Sequence, residues 1–376
     1  MSTPAPRGAP NDEPLLEIDG LEVTFRTQEG RVQAVRGVDL TVHSGEVLGV
    51  VGESGSGKSV TMLAAMGLLP RTAEIAGSVR LRGEELRGAS KERLRRIRGK
   101  EIAMIFQDPM TSLNPVFTIG AQIVEALRTH DKAMSKTAAK AKAVDLLELV
   151  SIANAARRLG DYPHQFSGGM RQRAMIAMAV ANDPDVLIAD EPTTALDVTI
   201  QAQILEVLHD VRERLSIGIV LITHDLGVVA ETAHVVGVMY ASNLVELTEV
   251  ERLFDRPLHP YTQGLFRSLP RLGQKKHRLE TIPGNVPNPL DFPGGCKFHP
   301  RCPLTTELAA QAPPEATQVT GADGQGDRVL RRCAALMPPL REVDKGHWAA
   351  CWECPGFERA PASDPAADDA GEEGDG

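Results

Sequence analysis

The sequence predicts an α/β fold, in which a core of alternating strands and helices is interrupted by a helical subdomain and followed by a small cysteine-containing extension. Three observations carry that prediction. A buried-strand run, Val47-Leu48-Gly49-Val50-Val51, leads through a glycine-rich loop into a helical stretch, Val60 to Met66. A second apolar run, Val186-Leu187-Ile188-Ala189, closes on the adjacent carboxylates Asp190 and Glu191. Between them, stretches such as Ala121 to Leu127 and Ala143 to Leu149 repeat with helical spacing rather than strand alternation.

The loop after the first strand is Gly52-Glu53-Ser54-Gly55-Ser56-Gly57-Lys58-Ser59. Glycines at 52, 55 and 57 let successive backbone N–H groups turn toward one point, where the dipole of the following helix adds partial positive charge. Such a loop suits the phosphates of a nucleoside triphosphate. Lys58 reaches the β- and γ-phosphates, Ser59 ligates Mg²⁺, and Val60 opens the adjoining helix. A flexible Gly/Ser turn would need neither Lys-Ser after the last glycine nor the flanking strand and helix.

Two acids after a strand also occur as a plain turn. In a chain that carries the loop at 52–59 they read instead as part of a nucleotide site. Asp190 is expected to hold Mg²⁺ through its water shell, and Glu191 to polarise the attacking water. Further along, Ser167-Gly168-Gly169 opens a helix through Met170-Arg171-Gln172-Arg173. Ser167 is a good N-cap and the paired glycines bare the first N–H groups, so a second anion site is expected there.

With these residues in hand, the chain resembles the ATP-binding subunit of an ABC transporter, whose signature is the Ser-Gly-Gly-x-x-Gln stretch. The resemblance implies that Ser167, Gly168, Gly169 and Gln172 bind the γ-phosphate held by a partner's P-loop, so that two subunits sandwich two ATP molecules. It assigns Gln107, in Ile105-Phe106-Gln107-Asp108, to the Q-loop that touches Mg²⁺ and senses the membrane subunits. Ala195-Leu196-Asp197 matches the D-loop, which crosses the dimer interface. His224, after Ile219-Val220-Leu221-Ile222-Thr223, matches the switch histidine at the γ-phosphate, and Phe25 the aromatic that stacks on adenine. The implied catalytic set is Glu191, His224 and Lys58. Mg²⁺ is assigned to Ser59, Gln107 and Asp190.

At 376 residues and 42% hydrophobic content, the chain is long enough for two domains with sizeable cores. No stretch approaches the ~18 apolar residues of a spanning helix, and Met1 to Pro14 lacks the apolar centre of a signal peptide. A cytosolic protein that only others hold at a membrane is therefore expected. The formal net charge is −9, and Asp364, Asp368, Asp369, Glu372, Glu373 and Asp375 follow Arg359 without a base. Such a tail reads as disordered. With most of the imbalance placed there, the remainder is too mildly acidic to suggest electrostatic binding of nucleic acid. The basic run Lys91 to Arg98 reads as a solvated helix face.

The expected organisation is a disordered N-terminus over 1–14, an ATPase core over 15–107 and 184–253, a helical subdomain with the signature over 108–183, a C-terminal domain over 254–355 and an acidic tail over 356–376. Asp108 to Pro115 and Pro257 to Leu265 resemble segments of the oligopeptide, dipeptide and nickel importers. So do Gly295 to Pro303 and the later stretch from Pro338 to Cys351.

All five cysteines, Cys296, Cys302, Cys333, Cys351 and Cys354, fall within this last region. Confinement of cysteines to one short segment of a cytosolic chain suggests metal ligation rather than disulfides. In some members of the resembled family four such cysteines hold an iron–sulfur cluster, which assigns a 4Fe–4S site to Cys296, Cys302, Cys333 and Cys351. Cys351 and Cys354 also form a Cys-x-x-Cys pair, so zinc competes, as do merely buried thiols. The stretch around Gln311 to Asp327 resembles a loop insertion. At Tyr240 to Glu246, where relatives usually have a glycine after the alanine, Ser242 or Asn243 is expected to take the positive φ, Asn243 being the better candidate.

Taken together, the resemblance implies an ATP-hydrolysing subunit that powers uptake of peptides or related small solutes, at the cytoplasmic face of the cell membrane. Its implied partners are a second, homologous ATPase subunit, two membrane permease subunits and a substrate-binding protein. The alternative is a soluble ABC ATPase acting on DNA or ribosomes, but such proteins usually fuse two ATPase units or insert long coiled coils, and this chain has one P-loop and no heptad run. A regulatory subunit with little turnover ranks lower still, because every hydrolytic residue is present.

Overall fold

Residues 13–107, 112–194, 196–269, 281–320 and 326–359 are described by a computed structural model. Asp108 to Thr111, Ala195 of the D-loop, part of the Gln311 to Asp327 stretch, most of the expected disordered N-terminus and the acidic tail lie outside the described residues.

Strand β1 (Pro14–Thr27) pairs antiparallel with β2 (Gly30–His43). The chain then enters β3 (Val47–Val51), all five residues of which are buried. Burial on both faces is what an uninterrupted apolar run predicts of a central parallel strand. Val47 and Val51 face one core cluster while Leu48 and Val50 face another. β4 (Ala73–Leu81) and β5 (Glu84–Glu85) return to β1, giving a four-stranded sheet in the order β2-β1-β4-β5.

The larger sheet is built around β3. β6 (Ile102–Ile105), β7 (Val186–Asp190), β8 (Gly218–Thr223) and β9 (Val235–Tyr240) join it in parallel, in the order β9-β3-β8-β7-β6. β10 (Asn243–Glu249) pairs antiparallel with β9. After the small β11 (Thr317–Val319) and β12 (Arg328–Leu330) hairpin, β13 (Arg341–Asp344) and β14 (His347–Ala349) extend the edge beyond β10. The cysteine-containing extension thus shares a sheet with the core.

Helix α1 (Lys58–Ala65) follows β3, and α2 (Lys91–Ile97) carries the basic run with Arg95 and Arg96 about 70% exposed beside Glu92. That is a solvated face. Four helices fill the middle of the chain: α3 (Ile119–His130), α4 (Lys136–Leu149), α5 (Ala155–Arg158) and α6 (Gly168–Ala179). Thr118, Ser135 and Ser167 cap α3, α4 and α6 by accepting backbone N–H bonds. Ile119, Ile123, Leu127, Leu147 and Ile176 bury the inner faces of these helices in the same cluster as Val47 and Val51. The helices α7 (Val198–Leu215), α8 (Leu226–Thr232), α9 (Val250–Asp255) and α10 (Pro260–Arg267) follow, then α11 (Pro303–Gln311) and α12 (Arg331–Ala335).

Three expectations need correction. Pro14 already belongs to β1, so order begins before residue 15. Phe357 is 3% exposed, packs edge-on to Trp352 and lies under Arg341, so the packed extension runs past residue 355. The turn between β9 and β10 places its positive φ on Ala241 (44°) and Ser242 (70°), so Ser242 takes it and the favoured Asn243, which begins β10, does not. With φ > 0 at both central residues the loop has the type I′ pattern of a two-residue hairpin, which puts the strain on 241 and 242.

Candidate functional site

Four parallel strands end at one edge of the larger sheet, and each delivers part of the site. β3 ends at the loop 52–59, β7 at Asp190 and Glu191, β8 at Thr223 and His224, and β6 at Phe106 and Gln107. Crevices outside the carboxyl ends of parallel strands are where open α/β sheets bind ligands.

Within the loop, Gly52 and Gly57 are required by space as well as by backbone conformation. At Gly52 φ is 151° and a Cβ would stand 2.1 Å from the Met239 carbonyl oxygen. At Gly57 φ is 101° and a Cβ would stand 2.4 Å from the Ala34 carbonyl oxygen. Lys58 folds back over the loop, its Nζ donating to the carbonyls of Gly52 (2.7 Å) and Glu53 (3.0 Å) and reaching Ser56 Oγ at 3.4 Å. Burial pulls its ammonium below the usual lysine range, against the pull of Glu191, Asp190 and Glu53.

Ser59 Oγ donates to Asp190 Oδ1 at 3.0 Å, which brings together two oxygen donors expected at Mg²⁺. Burial raises the Asp190 carboxyl above the usual carboxylate range; the Ser59 bond opposes the rise and the neighbouring Glu191 charge adds to it. Gln107 is the third expected Mg²⁺ residue, yet its amide Nε2 donates to Glu191 Oε2 at 2.9 Å. Glu191 is also approached by Thr194 Oγ1 at 2.8 Å and by His224 Nδ1 at 3.5 Å. His224 remains 60% exposed.

The signature residues sit elsewhere. Ser167 caps α6, while Cβ atoms placed at Gly168 and Gly169 would meet Leu196 and Ile200. Gln172 is buried with its Nε2 unpartnered. Ser167 Oγ accepts from the Met170 N–H at 3.4 Å, and Arg171 Nε donates to the Pro163 carbonyl at 2.8 Å. Asp197 caps α7 by accepting from Ile200 N–H at 3.0 Å. Phe25 lies half-buried on β1 against the second core cluster. Ser54 and Gly55 are exposed, and Val60 is half-buried at the start of α1. Clefts of about 600 Å³ beside Glu148 to Arg157, about 580 Å³ beside Arg256 and Trp352 and about 420 Å³ between α7 and the sheet include no residue of 52–59. Only the tip of the phosphate loop, Ser54 and Gly55, is exposed, while Gly52, Ser56, Gly57 and Lys58 are buried.

The loop has partners that motif reading did not anticipate. Tyr261 OH accepts from the Glu53 N–H at 2.9 Å, and Arg301 pairs with both Glu53 carboxylate oxygens, at 2.9 and 3.2 Å. Thr194 is found three residues after Glu191. Tyr261 and Arg301 lie in stretches singled out only for their family resemblance, 208 and 248 positions from Glu53, and no local signal links them to it.

Cys296, Cys302, Cys333 and Cys351 all line one small cavity of about 20 Å³, together with His299 and Glu353; Cys354 is not part of its lining. Burial pushes the Cys302 thiol up to about 12 and that of Cys333 to about 11, and raises Cys296 further. A hydrogen bond from Cys354 lowers Cys351 instead. Among the described residues no group of three or more His, Cys, Asp or Glu side chains is arranged to hold a metal ion. The four thiols share the lining of that one cavity. No helix of the described residues is long and apolar enough to cross a membrane.

Comparison with known proteins places this geometry. Residues 35–194 match the family described as ABC transporter, and residues 245–308 match the oligopeptide/dipeptide transporter C-terminal region. A protein of Brucella abortus (strain 2308) named a peptide import ATP-binding protein is 52% identical over 326 residues, 86% of this chain and 96% of that protein. A protein of the same designation from Brucella melitensis biotype 1 is 48% identical over 352 residues, 90% of this chain and 97% of its own length. Among solved structures, the dimeric structure of a bacterial ABC transporter cassette aligns with a TM-score of 0.56 and 26% identity, covering 62% of this chain and 98% of the cassette.

Proposed function

Because the chain belongs to the ABC transporter family of ATP-binding proteins, in the branch that carries the oligopeptide/dipeptide transporter C-terminal region, we propose that it hydrolyses ATP to power peptide uptake through a membrane importer. The observation that carries this reading is the gathering of Lys58, Ser59, Gln107, Asp190, Glu191 and His224 at one edge of the parallel sheet.

In this reading Lys58 and the loop N–H groups hold the phosphates, and Glu191 orients the attacking water and takes its proton. His224, on the open side of Glu191, contacts the γ-phosphate. Ser59 and Asp190 supply the hard oxygen donors that suit Mg²⁺, with Gln107 beside them, and the ion when bound neutralises charge on the phosphate oxygens. Phe25 stacks on the adenine, and Ser167, Gly168, Gly169 and Gln172 serve the site of a partner subunit, with Asp197 at the interface. The exposure of Ser54 and Gly55 at the tip of the loop supports that division. The partners are a homologous ATPase subunit and two permease subunits with their substrate-binding protein. The chain is held by them at the cytoplasmic face of the membrane.

The same reading assigns Cys296, Cys302, Cys333 and Cys351 to a 4Fe–4S cluster. Four thiols around one cavity supply the required donors, and a cluster spreads its thiolates more widely than the tetrahedral single-ion site that zinc needs. Iron and acid-labile sulfide assays on anaerobically purified protein test it, and absence of both removes the cluster.

Transport is tested by purifying the tagged protein from membranes and by following labelled di- and oligopeptides in cells lacking it. Co-purification of permease subunits and loss of uptake are expected. Co-purification of ribosomes or DNA with unchanged uptake would overturn the reading.

A further inference from the structure

We propose that Arg301, contributed by the C-terminal extension, is a positioning residue for ATP hydrolysis, holding the phosphate loop in its binding conformation through Glu53.

Glu53 is gripped twice by the extension. Its carboxylate takes a two-pronged pair from Arg301, Nη1 to Oε2 at 2.9 Å and Nη2 to Oε1 at 3.2 Å, while its backbone N–H donates to Tyr261 OH at 2.9 Å. Arg301 is itself fixed. Its Nε donates to the Pro283 carbonyl at 2.8 Å, Nη1 reaches Tyr240 OH at 3.3 Å, and the guanidinium lies 5.7 Å from the centre of the Tyr240 ring. Tyr240, Tyr261 and Phe298 pack together, with ring centres 4.6 to 5.6 Å apart, and form a rigid wall behind it.

The Arg301 side chain is only 7% exposed and that of Glu53 27%. A fork-to-fork guanidinium–carboxylate pair removed from water fixes direction as well as distance, unlike the flexible ion pairs of a surface. The direction matters because Glu53 shares its peptide units with the site: the Gly52 and Glu53 carbonyls accept from Lys58 Nζ. With its carboxylate anchored by Arg301 and its N–H by Tyr261, the Glu53 Cα is held at both sides, and loss of the carboxylate anchor frees the adjoining peptide groups that set the lysine and the loop N–H groups. Arg301 touches neither ATP nor the reacting atoms in this account; it acts through Glu53.

A pair that merely fastened the extension to the core would affect melting alone. The positioning role instead predicts a change in nucleotide affinity, and it rests on the ATPase reading. The test uses the full chain as wild type, Arg301→Lys, Arg301→Gln, Glu53→Gln and the Glu53→Gln/Arg301→Gln double variant, with circular dichroism and thermal melting to establish folding. Arg301→Gln and Glu53→Gln are each expected to raise KM for ATP about tenfold or more, the effect of losing one charge-assisted pair, with a smaller change in kcat. The double variant should be no worse than either single change, and Arg301→Lys should recover only part of the loss. Should Arg301→Gln fail to fold, Glu53→Gln and Arg301→Lys decide. Folded single variants with wild-type KM, or a double variant whose losses simply add, would overturn the proposal. A wild-type protein with no ATP turnover would instead overturn the ATPase reading.

Discussion

Gln107 Nε2 donates to Glu191 Oε2 at 2.9 Å, which ties the end of β6 to the end of β7. Thr194 and His224 approach the same carboxylate at 2.8 and 3.5 Å. The backbone at Glu191 has φ of 48°, a left-handed conformation that a non-glycine residue adopts under strain, and its N–H is anchored to the Ile222 carbonyl at 2.9 Å. The surrounding bonds hold that strained residue in place and so aim its carboxylate.

Gly52 has no substitute. A methyl group there would stand 2.1 Å from the Met239 carbonyl oxygen, with φ at 151°. Gly52→Ala is expected to lower stability on the order of 3 kcal/mol and to abolish measurable ATP binding, because the loop must shift to relieve the clash. Urea unfolding and nucleotide titration read the two effects.

Glu246 is fully buried and accepts from the N–H groups of Leu258 (2.7 Å) and His259 (2.9 Å) and from His347 Nε2 (2.7 Å). It therefore joins β10, the segment before α10, and β14. Glu246→Ala leaves three donors unpaired in the interior and is expected to lower stability by about 3 to 5 kcal/mol in urea unfolding.

His259 gives the extension an acid limit. Burial lowers its pKa to about 4, with Glu246 opposing the shift, and its Nδ1 accepts from the Tyr261 N–H at 3.1 Å, which a protonated nitrogen cannot do. A depressed folded-state value means that the unfolded chain takes up the proton first. The contribution is therefore complete above the unfolded value near 6.5 and is lost as pH falls from there toward 4, amounting to on the order of 3 kcal/mol. Unfolding free energies of wild type and His259→Gln across that interval should differ in slope, with the variant flatter.

The hairpin between β9 and β10 carries strain that glycine relieves. Ser242 has φ of 70°, while its N–H donates to the Ser56 carbonyl at 3.1 Å and its carbonyl accepts from Arg36 N–H. Ser242→Gly keeps both backbone bonds, and is expected to stabilise the protein by about 0.5 to 1 kcal/mol after the added entropy of the unfolded chain is taken into account. Thermal melting measures it.

The sequence made the phosphate loop, Asp190, Glu191 and the helical middle legible because each depends on neighbours in the chain. The five buried residues of β3 read directly as a central strand, and Ser167 as a cap. What it hid depends on distant segments. The bond from Gln107 to Glu191 forms because the ends of β6 and β7 lie side by side in the sheet. Arg301 reaches Glu53 only after β9, α10 and the 299–301 turn have packed together, so no spacing along the chain foretells it. Between Ser242 and Asn243, intrinsic tolerance of a positive φ favours asparagine, whereas the Tyr240–Asn243 pairing leaves 241 and 242 to make the turn.

The proposed hydrolysis of bound ATP depends on the Glu191 carboxylate. Nucleotide affinity and steady-state ATP turnover of Glu191→Gln, beside wild type, test it most directly. Retained affinity with turnover reduced by about a hundredfold or more is predicted, since glutamine keeps the shape and loses the base. Wild-type turnover in the folded variant would contradict it.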